Sequence, residues 1–182
     1  MKVILASNSP RRKELLSREK IEFSVIPSDY AEPENFGISP EKYVEFLAFN
    51  KANSVFEKYG GTVIGADTVV VYKGEILGKP KDESDAKRML KSLSGNTHEV
   101  ITGYVVISKN KVVKGHEKTF VTFNKLTDLQ IENYVNSKSP LDIAGAYGIQ
   151  DGDFLVSKFL GDYDNVVGLP VTKIKQILSE FI

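Results

Sequence analysis

The first 26 residues alternate between a strand pattern, a helix pattern and a second strand pattern, and this order restricts the fold more than any other feature. Val3 to Ala6 form a short apolar run, which predicts a buried strand over residues 2–6. Ser9-Pro10 supplies an N-cap followed by a first helical residue, and predicts a helix to about Lys20. Residues 21–26 predict the second strand. Such alternation favours an α/β fold.

Apolar spacing, caps and turn residues predict the remaining elements. A long helix is expected from Ser39-Pro40 to about Tyr59, and a strand over 62–72 with a hairpin turn at Lys73-Gly74. The later predictions are a helix that ends at Gly95, strands over 99–108 and 111–123, a helix from Thr127 to about Val135, glycine-rich turns over 142–168, and a final helix opened by Leu169-Pro170. The β-rich middle predicts a mixed sheet. The length of 182 residues suits a single domain over 1–182.

Composition excludes several classes of chemistry and of partner. The chain has no cysteine and two histidines, which excludes disulfides, thiolate sites and multi-histidine metal sites. Lysine and arginine together number 24, as do aspartate and glutamate, so no basic excess points to nucleic acid. No apolar run approaches the roughly 20 residues of a membrane span, and no secretory signal pattern precedes the first strand. A cytoplasmic location without nucleic-acid or membrane partners is therefore expected.

Two adjacent arginines stand where the first strand is predicted to give way to the first helix. A helix N-terminus disfavours cations unless an anion also binds there. Ser7, Ser9, Arg11 and Arg12 together could form a phosphate cradle at the free backbone N–H groups. Two ordinary surface arginines on a solvated helix turn are the competing interpretation.

Lys51 and Asp67 break apolar patterns. Lys51 lies on the apolar stripe of the long predicted helix, so its charge must reach a cleft, pair with an anion or extend past the edge of the stripe. Asp67 stands inside an apolar strand run, where a carboxylate needs a strong partner unless it caps or bulges the strand. Strict alternation puts Asp67 and Thr68 on opposite faces, so both reach one site only if the strand ends or bulges there.

Three other residues carry weaker signals. Lys79 in Gly78-Lys79-Pro80 could be held towards an anion, although lysines beside a proline are usually solvated. Gln150 ends a run of small residues, and its amide could read a base edge or satisfy backbone groups in a buried turn. His98 is expected to be structural.

Taken together, seven ordered stretches resemble the Maf nucleotide pyrophosphatases. They are S-N-S-P-R-R-K-E-L-L, L-A-F-N-K-A, G-A-D-T-V-V, G-K-P, L-S-G-N-T-H-E-V-I-T-G, A-G-A-Y-G-I-Q and N-V-V-G-L-P. The resemblance implies an elongated mixed sheet with flanking helices and two lobes around a central cleft, a fold shared with the inosine triphosphate pyrophosphatases. It also implies hydrolysis of nucleoside triphosphates to a monophosphate and pyrophosphate, with Mg²⁺ or Mn²⁺, and a homodimer.

The same resemblance implies roles for particular residues. Arginine, threonine and glutamine at Arg11, Thr68 and Gln150 match the branch that acts on dTTP and UTP. Ser7 and Arg12 join these three as substrate-binding candidates. Asp67 would activate the attacking water, with Lys51 and Lys79 as further catalytic residues. Glu32 and Asp67 would hold the metal.

Two departures from the family pattern and two rival functions remain. Ile143 stands where relatives commonly have lysine, which removes a cation near the segment expected to bind the base. Ala31 stands where many relatives have an acid, so one metal ligand is either missing or not needed. One rival is a non-catalytic regulator of septum formation that binds nucleotide. The other is an inosine triphosphate pyrophosphatase on the same fold.

Overall fold

The computed structural model describes residues 2–138 and 140–181. Strands and helices alternate over the first 72 residues, and further along the chain two pairs of strands follow each other directly. The strands are β1 (Val3–Leu5), β2 (Phe23–Val25), β3 (Thr62–Tyr72), β4 (Glu75–Leu77), β5 (Thr97–Ile107), β6 (Val112–Phe123) and β7 (Val156–Leu160). The helices are α1 (Pro10–Arg18), α2 (Pro40–Tyr59), α3 (Glu83–Leu93), α4 (Asp128–Lys138), α5 (Tyr163–Val167) and α6 (Val171–Ser179).

The strands form one sheet in the order β2-β1-β3-β5-β6-β7, and β4 pairs with β3 beside this path. β1 is parallel to both β2 and β3, as the alternation at the start of the chain favours. The pairs β3–β4 and β6–β7 are antiparallel. The predicted mixed α/β sheet with flanking helices is therefore confirmed.

The chain divides into two compact units. The first comprises Met1–Thr68, Thr102–Glu117 and Gly168–Ile182, and the second comprises Val69–Ile101 and Lys118–Val167. An elongated shape and a central cleft stay predictions. Across the described residues, no helix has both the length and the hydropathy that crossing a bilayer requires.

The core of the first unit forms where α2 packs on the sheet. Helical spacing puts one stripe of α2 into this core, and its buried members are Val44, Leu47, Ala48, Ala52 and Val55. The buried strand residues packed with this stripe include Ile4, Val63 and Val105. A charged side chain on the same stripe, such as Lys51, is consequently held close to the strands.

Helix starts agree with the sequence signals. The Ser9 hydroxyl accepts a hydrogen bond from the backbone N–H of Arg12, and Pro10 is the first residue of α1. Ser39 caps α2 in the same way, with Pro40 as its first residue. Thr127 and Gln130 form the reciprocal capping box before α4. The predicted caps are confirmed.

The second unit shows where sequence patterns were misleading. The prediction of turns throughout 142–168 is wrong, because this region contains β7 and α5 besides short 3₁₀ turns at Ala144–Ala146 and Ile149–Asp151. In the sheet formed by the described strands, β7 is an edge strand that pairs with β6, with Phe120 opposite Leu160, and four of its five residues are exposed. An exposed edge strand lacks the apolar alternation that identifies a half-buried strand in sequence.

His98 lies in the core of the second unit, as expected for a structural histidine. It is 2% exposed, and its Nε2 is 2.7 Å from the Tyr147 hydroxyl oxygen. The rings of His98 and Tyr147 also meet edge to face, with centroids 5.4 Å apart. Burial lowers the pKa of His98 from 6.5 to about 4, so the ring is neutral at pH 7.

This burial predicts a loss of stability in mild acid. Between pH 6.5 and 4 the unfolded chain binds a proton that buried His98 does not, so stability falls as the pH falls. We expect His98 to account for a loss of about 2 kcal/mol in unfolding free energy between pH 7 and pH 5. Urea titrations at the two pH values would measure it. His98→Gln, which does not titrate in this range, should lose less; equal losses would contradict the assignment.

Candidate active site

Lys51 holds two carboxylates in the first unit. Its Nζ lies 2.6 Å from Asp67 Oδ1 and 2.7 Å from Glu32 Oε1. The side chains of Lys51 and Asp67 are 14% and 12% exposed, whereas that of Glu32 is 50% exposed. Of the alternatives for Lys51, pairing with an anion is therefore the one observed, and the partner that Asp67 requires inside its strand is a lysine.

Two glycines bring α2 close enough to the strands for this pairing. A Cβ at Gly65 in β3 would overlap the carbonyl oxygen of Ala48 and lie 2.8 Å from the Cβ of Ala52. A Cβ at Gly103 in β5 would overlap the backbone of Val44. Because any side chain at these positions would push the helix away, both glycines are needed for Lys51 to reach Asp67.

Asp67 and Thr68 bond to different helices although they are neighbours. Asp67 pairs with Lys51 on α2, while the Thr68 hydroxyl accepts a hydrogen bond from Arg12 on α1 at 3.2 Å. The strand does not end between them, since β3 continues to Tyr72. Asp67 is nevertheless close enough to act on the guanidinium that binds Thr68. Burial lowers the pKa of Arg12, and the negative charges of Asp67 and Glu32 oppose this lowering.

The Arg12 guanidinium joins three segments of the first unit. Its Nε donates to the carbonyl oxygen of Gly168 at 2.7 Å, and its Nη1 and Nη2 donate to the hydroxyls of Ser7 and Thr68, each at 3.2 Å. Burial lowers the pKa of Arg12, and the neighbouring charge of Arg11 adds to this effect. Among the described residues, these contacts use three of the five N–H groups that a guanidinium carries. Arg12 therefore organises the turn after β1, whatever else it binds.

Replacing Arg12 by lysine tests this organising role. We expect Arg12→Lys to lower the unfolding free energy by about 1–3 kcal/mol, because one ammonium group cannot reproduce a three-way planar bonding pattern. Chemical denaturation would measure the change. Arg18→Lys is the matched control, since the Arg18 side chain on the same helix is 50% exposed. Equal stability of the two variants would contradict the role.

Ser7 and Arg11 complete the start of α1. The Ser7 hydroxyl accepts hydrogen bonds from the backbone N–H of Ser9 at 3.2 Å and from Arg12. Arg11 is partly buried and is close enough for its charge to affect the pKa of Arg12. The expected cluster of hydroxyls and arginines at this helix start is present, and its phosphate-binding role stays a prediction.

Lys79 and Gln150 belong to the second unit. The Lys79 side chain is 67% exposed, with its Nζ 3.6 Å from a carboxylate oxygen of Asp142. Gln150 is exposed within the 3₁₀ turn Ile149–Asp151. The alternative of a glutamine inside a buried turn does not apply. The catalytic role of Lys79 and the base-reading role of Gln150 stay predictions.

The carboxylates fit a metal that is shared with a substrate. Within residues 2–138 and 140–181, no group of three or more histidine, aspartate or glutamate side chains could hold an ion. Glu32 and Asp67 nevertheless each place an oxygen against the same nitrogen of Lys51. Mg²⁺ typically takes one or two carboxylates and completes its shell with waters and phosphate oxygens. These two residues suit that mode of binding.

Sequence reasoning missed three contributors to the site. The Thr102 hydroxyl lies 2.9 Å from that of Thr68, and Gly168 supplies the carbonyl that binds Arg12. The Tyr43 hydroxyl donates to the carbonyl of Pro33, and its pKa is raised by burial and by the charges of Asp67 and Glu32. Thr102 and Gly168 lie inside the quoted stretches H-E-V-I-T-G and N-V-V-G-L-P, which was the available signal.

Comparison with known proteins agrees with this picture. A family model described as Maf-like protein matches residues 2–181. A curated protein named dTTP/UTP pyrophosphatase from Bacillus cereus (strain G9842) is 50% identical over 182 residues, covering 99% of this chain and 95% of its own. A protein of the same name from Bacillus mycoides (strain KBAB4) is 49% identical with the same coverage.

A solved structure supports the fold alone. The structure of a HAM1 protein from Coxiella burnetii superposes with a TM-score of 0.55 at 13% sequence identity, and the match covers 99% of each chain. The match to the family model and the full-length relatives, in contrast, concern the sequence itself. The chain belongs to the Maf-like protein family.

Proposed function

We propose that this protein is a nucleoside triphosphate pyrophosphatase that hydrolyses dTTP and UTP to the monophosphate and pyrophosphate. The observation that carries the proposal is the pairing of Asp67 with Lys51 inside an apolar strand, in a chain 50% identical to a protein named for this activity. Burying a carboxylate at such a position costs free energy of desolvation, which favours a catalytic or binding role for it. The cytoplasmic location and the homodimer stay predictions.

Asp67 is assigned the role of general base. Its Oδ1 accepts the hydrogen bond from Lys51, and Oδ2 is assigned to the water. The water oxygen forms a bond to the α-phosphorus, its proton passes to Asp67, and the bond from the α-phosphorus to the bridging oxygen breaks. That oxygen leaves with its electron pair as part of pyrophosphate, and the monophosphate remains. Bases of this kind contribute about 10²–10⁴-fold to the rate.

Cationic groups are assigned the stabilisation of negative charge on the phosphates. Lys51 and Arg11 would offset charge on the phosphates, while Arg12 keeps Ser7 and Thr68 in place. Lys79 is assigned a further phosphate contact. A divalent cation held by Glu32, Asp67 and phosphate oxygens would neutralise substrate charge and position the phosphates. The protein has no net charge, so local cations rather than an overall field must attract the triphosphate.

A substrate panel tests the proposal. Values of kcat/KM for pyrophosphate release should be higher for dTTP and UTP than for CTP, ITP, 7-methyl-GTP and the common purine triphosphates. A maximum at another base would retain the reaction and refute the assignment of Arg11, Thr68 and Gln150. Binding of nucleotides without hydrolysis of any of them would favour the non-catalytic regulator.

Gln150→Ala tests the base-reading role. We expect the preference for dTTP and UTP over purine triphosphates to fall by about tenfold or more, because an amide offers both donor and acceptor to a pyrimidine edge. The kcat for UTP should change little. The ratio of kcat/KM values across the panel is the measurement, and an unchanged ratio would refute the role.

A further inference from the structure

One buried tyrosine hydroxyl forms hydrogen bonds at both ends of the turn that carries Gln150. Tyr134 on α4 is 3% exposed. Its hydroxyl oxygen accepts a hydrogen bond from the backbone N–H of Gly148 at 3.0 Å, and its O–H donates to Asp151 Oδ2 at 2.6 Å. One hydroxyl of the second unit therefore ties the residue before this turn to the last residue within it.

Within the same turn, the Gln150 amide and the Asp151 carboxylate lie close to Gly148. The backbone N–H of Asp151 donates to the carbonyl oxygen of Gly148 at 3.0 Å, which closes the turn. A Cβ added at Gly148 would lie 2.7 Å from Asp151 Oδ2 and 2.8 Å from Gln150 Nε2. The Gln150 amide and the Asp151 carboxylate thus both pack against the bare Cα of Gly148, and the carboxylate is held there by Tyr134.

We propose that the Tyr134 hydroxyl is a positioning group for base selection, a role that rests on the proposed function. It contacts no substrate; it fixes the carboxylate and the backbone between which Gln150 stands. Selection by hydrogen bonds requires a fixed donor and acceptor, because an amide that moves adapts to the wrong base as readily as to the right one. Tyr134 and Asp151 are specificity residues through Gln150.

Tyr134→Phe removes the hydroxyl and keeps the ring. The ring packs edge to face on Phe154 at a centroid distance of 6.0 Å, so the variant should fold. We expect KM for UTP and dTTP to rise by about tenfold, the size of one lost charge-assisted hydrogen bond, with kcat within about threefold of wild type. The preference over ITP and 7-methyl-GTP should fall as it does in Gln150→Ala. Adding Tyr134→Phe to Gln150→Ala should produce no further change in preference.

Two further variants keep the test decisive. Gly148→Ala displaces both the Gln150 amide and the Asp151 carboxylate while it leaves the tyrosine itself in the chain, and should lower the same preference even if Tyr134→Phe fails to fold. Tyr104→Phe is the matched control, since Tyr104 is a 5% exposed tyrosine of β5 in the first unit, and its preference should equal that of wild type. If Tyr134→Phe or Gly148→Ala folds and keeps the wild-type preference for UTP and dTTP, the inference is overturned and the proposed function is not affected. A wild-type protein that releases no pyrophosphate overturns the proposed function and the inference together.

Discussion

Asp67→Asn is expected to leave the protein folded and to lower kcat for pyrophosphate release by about 10²–10⁴-fold. Asparagine has the same shape as aspartate and retains an oxygen that can accept the hydrogen bond from Lys51, which lies at 2.6 Å in the wild type. Lys51 also keeps Glu32 as a counter-ion at 2.7 Å. The variant therefore loses a proton acceptor without leaving a lysine unpaired.

Steady-state kinetics with UTP, alongside a denaturation curve, measures both parts of this prediction. Asp128→Asn is the matched control, since the Asp128 side chain is 83% exposed and pairs with Lys91 in the second unit. Turnover of Asp67→Asn near the wild-type value would show that Asp67 is not the base. Loss of the fold would show instead that the carboxylate is mainly structural.

Lys51→Met is expected to lower kcat by about 10²-fold or more and to reduce the unfolding free energy by about 2–4 kcal/mol. Methionine has a similar length and can stay on the apolar stripe of α2, so the helix should still pack on the sheet. The cost arises because the Asp67 carboxylate, only 12% exposed, then loses its nearest cation and lies beside Glu32. Burial of an uncompensated charge is among the largest penalties that one substitution can cause.

The double variant Lys51→Met/Asp67→Asn separates stability from catalysis. Removing the uncompensated carboxylate should restore most of the lost unfolding free energy, while pyrophosphate release stays as low as in the single variants. A double variant that recovers activity together with stability would contradict a catalytic role for this pair. A single Lys51→Met variant with wild-type turnover would refute the role of Lys51 directly.

The elements of the fold that local signals specify were predictable. Ser9-Pro10 and Ser39-Pro40 begin α1 and α2 because their caps depend on residues within one turn of each other. β7 was missed because its stability comes from pairing with β6, more than thirty residues earlier, and because its side chains are largely exposed. β2 is also shorter than predicted, at Phe23–Val25, since apolar character alone does not define where pairing ends.

The sequence showed which side chains need a partner, but not which residues they pair with. Lys51 and Asp67 each break an apolar pattern, so each requires a partner. That they are each other's partner depends on Gly65 and Gly103, which allow α2 to approach two strands. Three donors of Arg12 bind Ser7, Thr68 and Gly168, which the sequence did not predict, and its contact with a ligand stays a prediction. Contacts between residues so far apart in the chain leave no local pattern.

The most direct test of the central claim is the product analysis of UTP incubated with the wild-type protein and Mg²⁺. We predict equimolar UMP and pyrophosphate, and with ¹⁸O-labelled water the label should appear in UMP, because the water attacks the α-phosphorus. Release of orthophosphate and UDP, or label in pyrophosphate, would place the attack at another phosphorus. Either result would contradict the reaction assigned to Asp67.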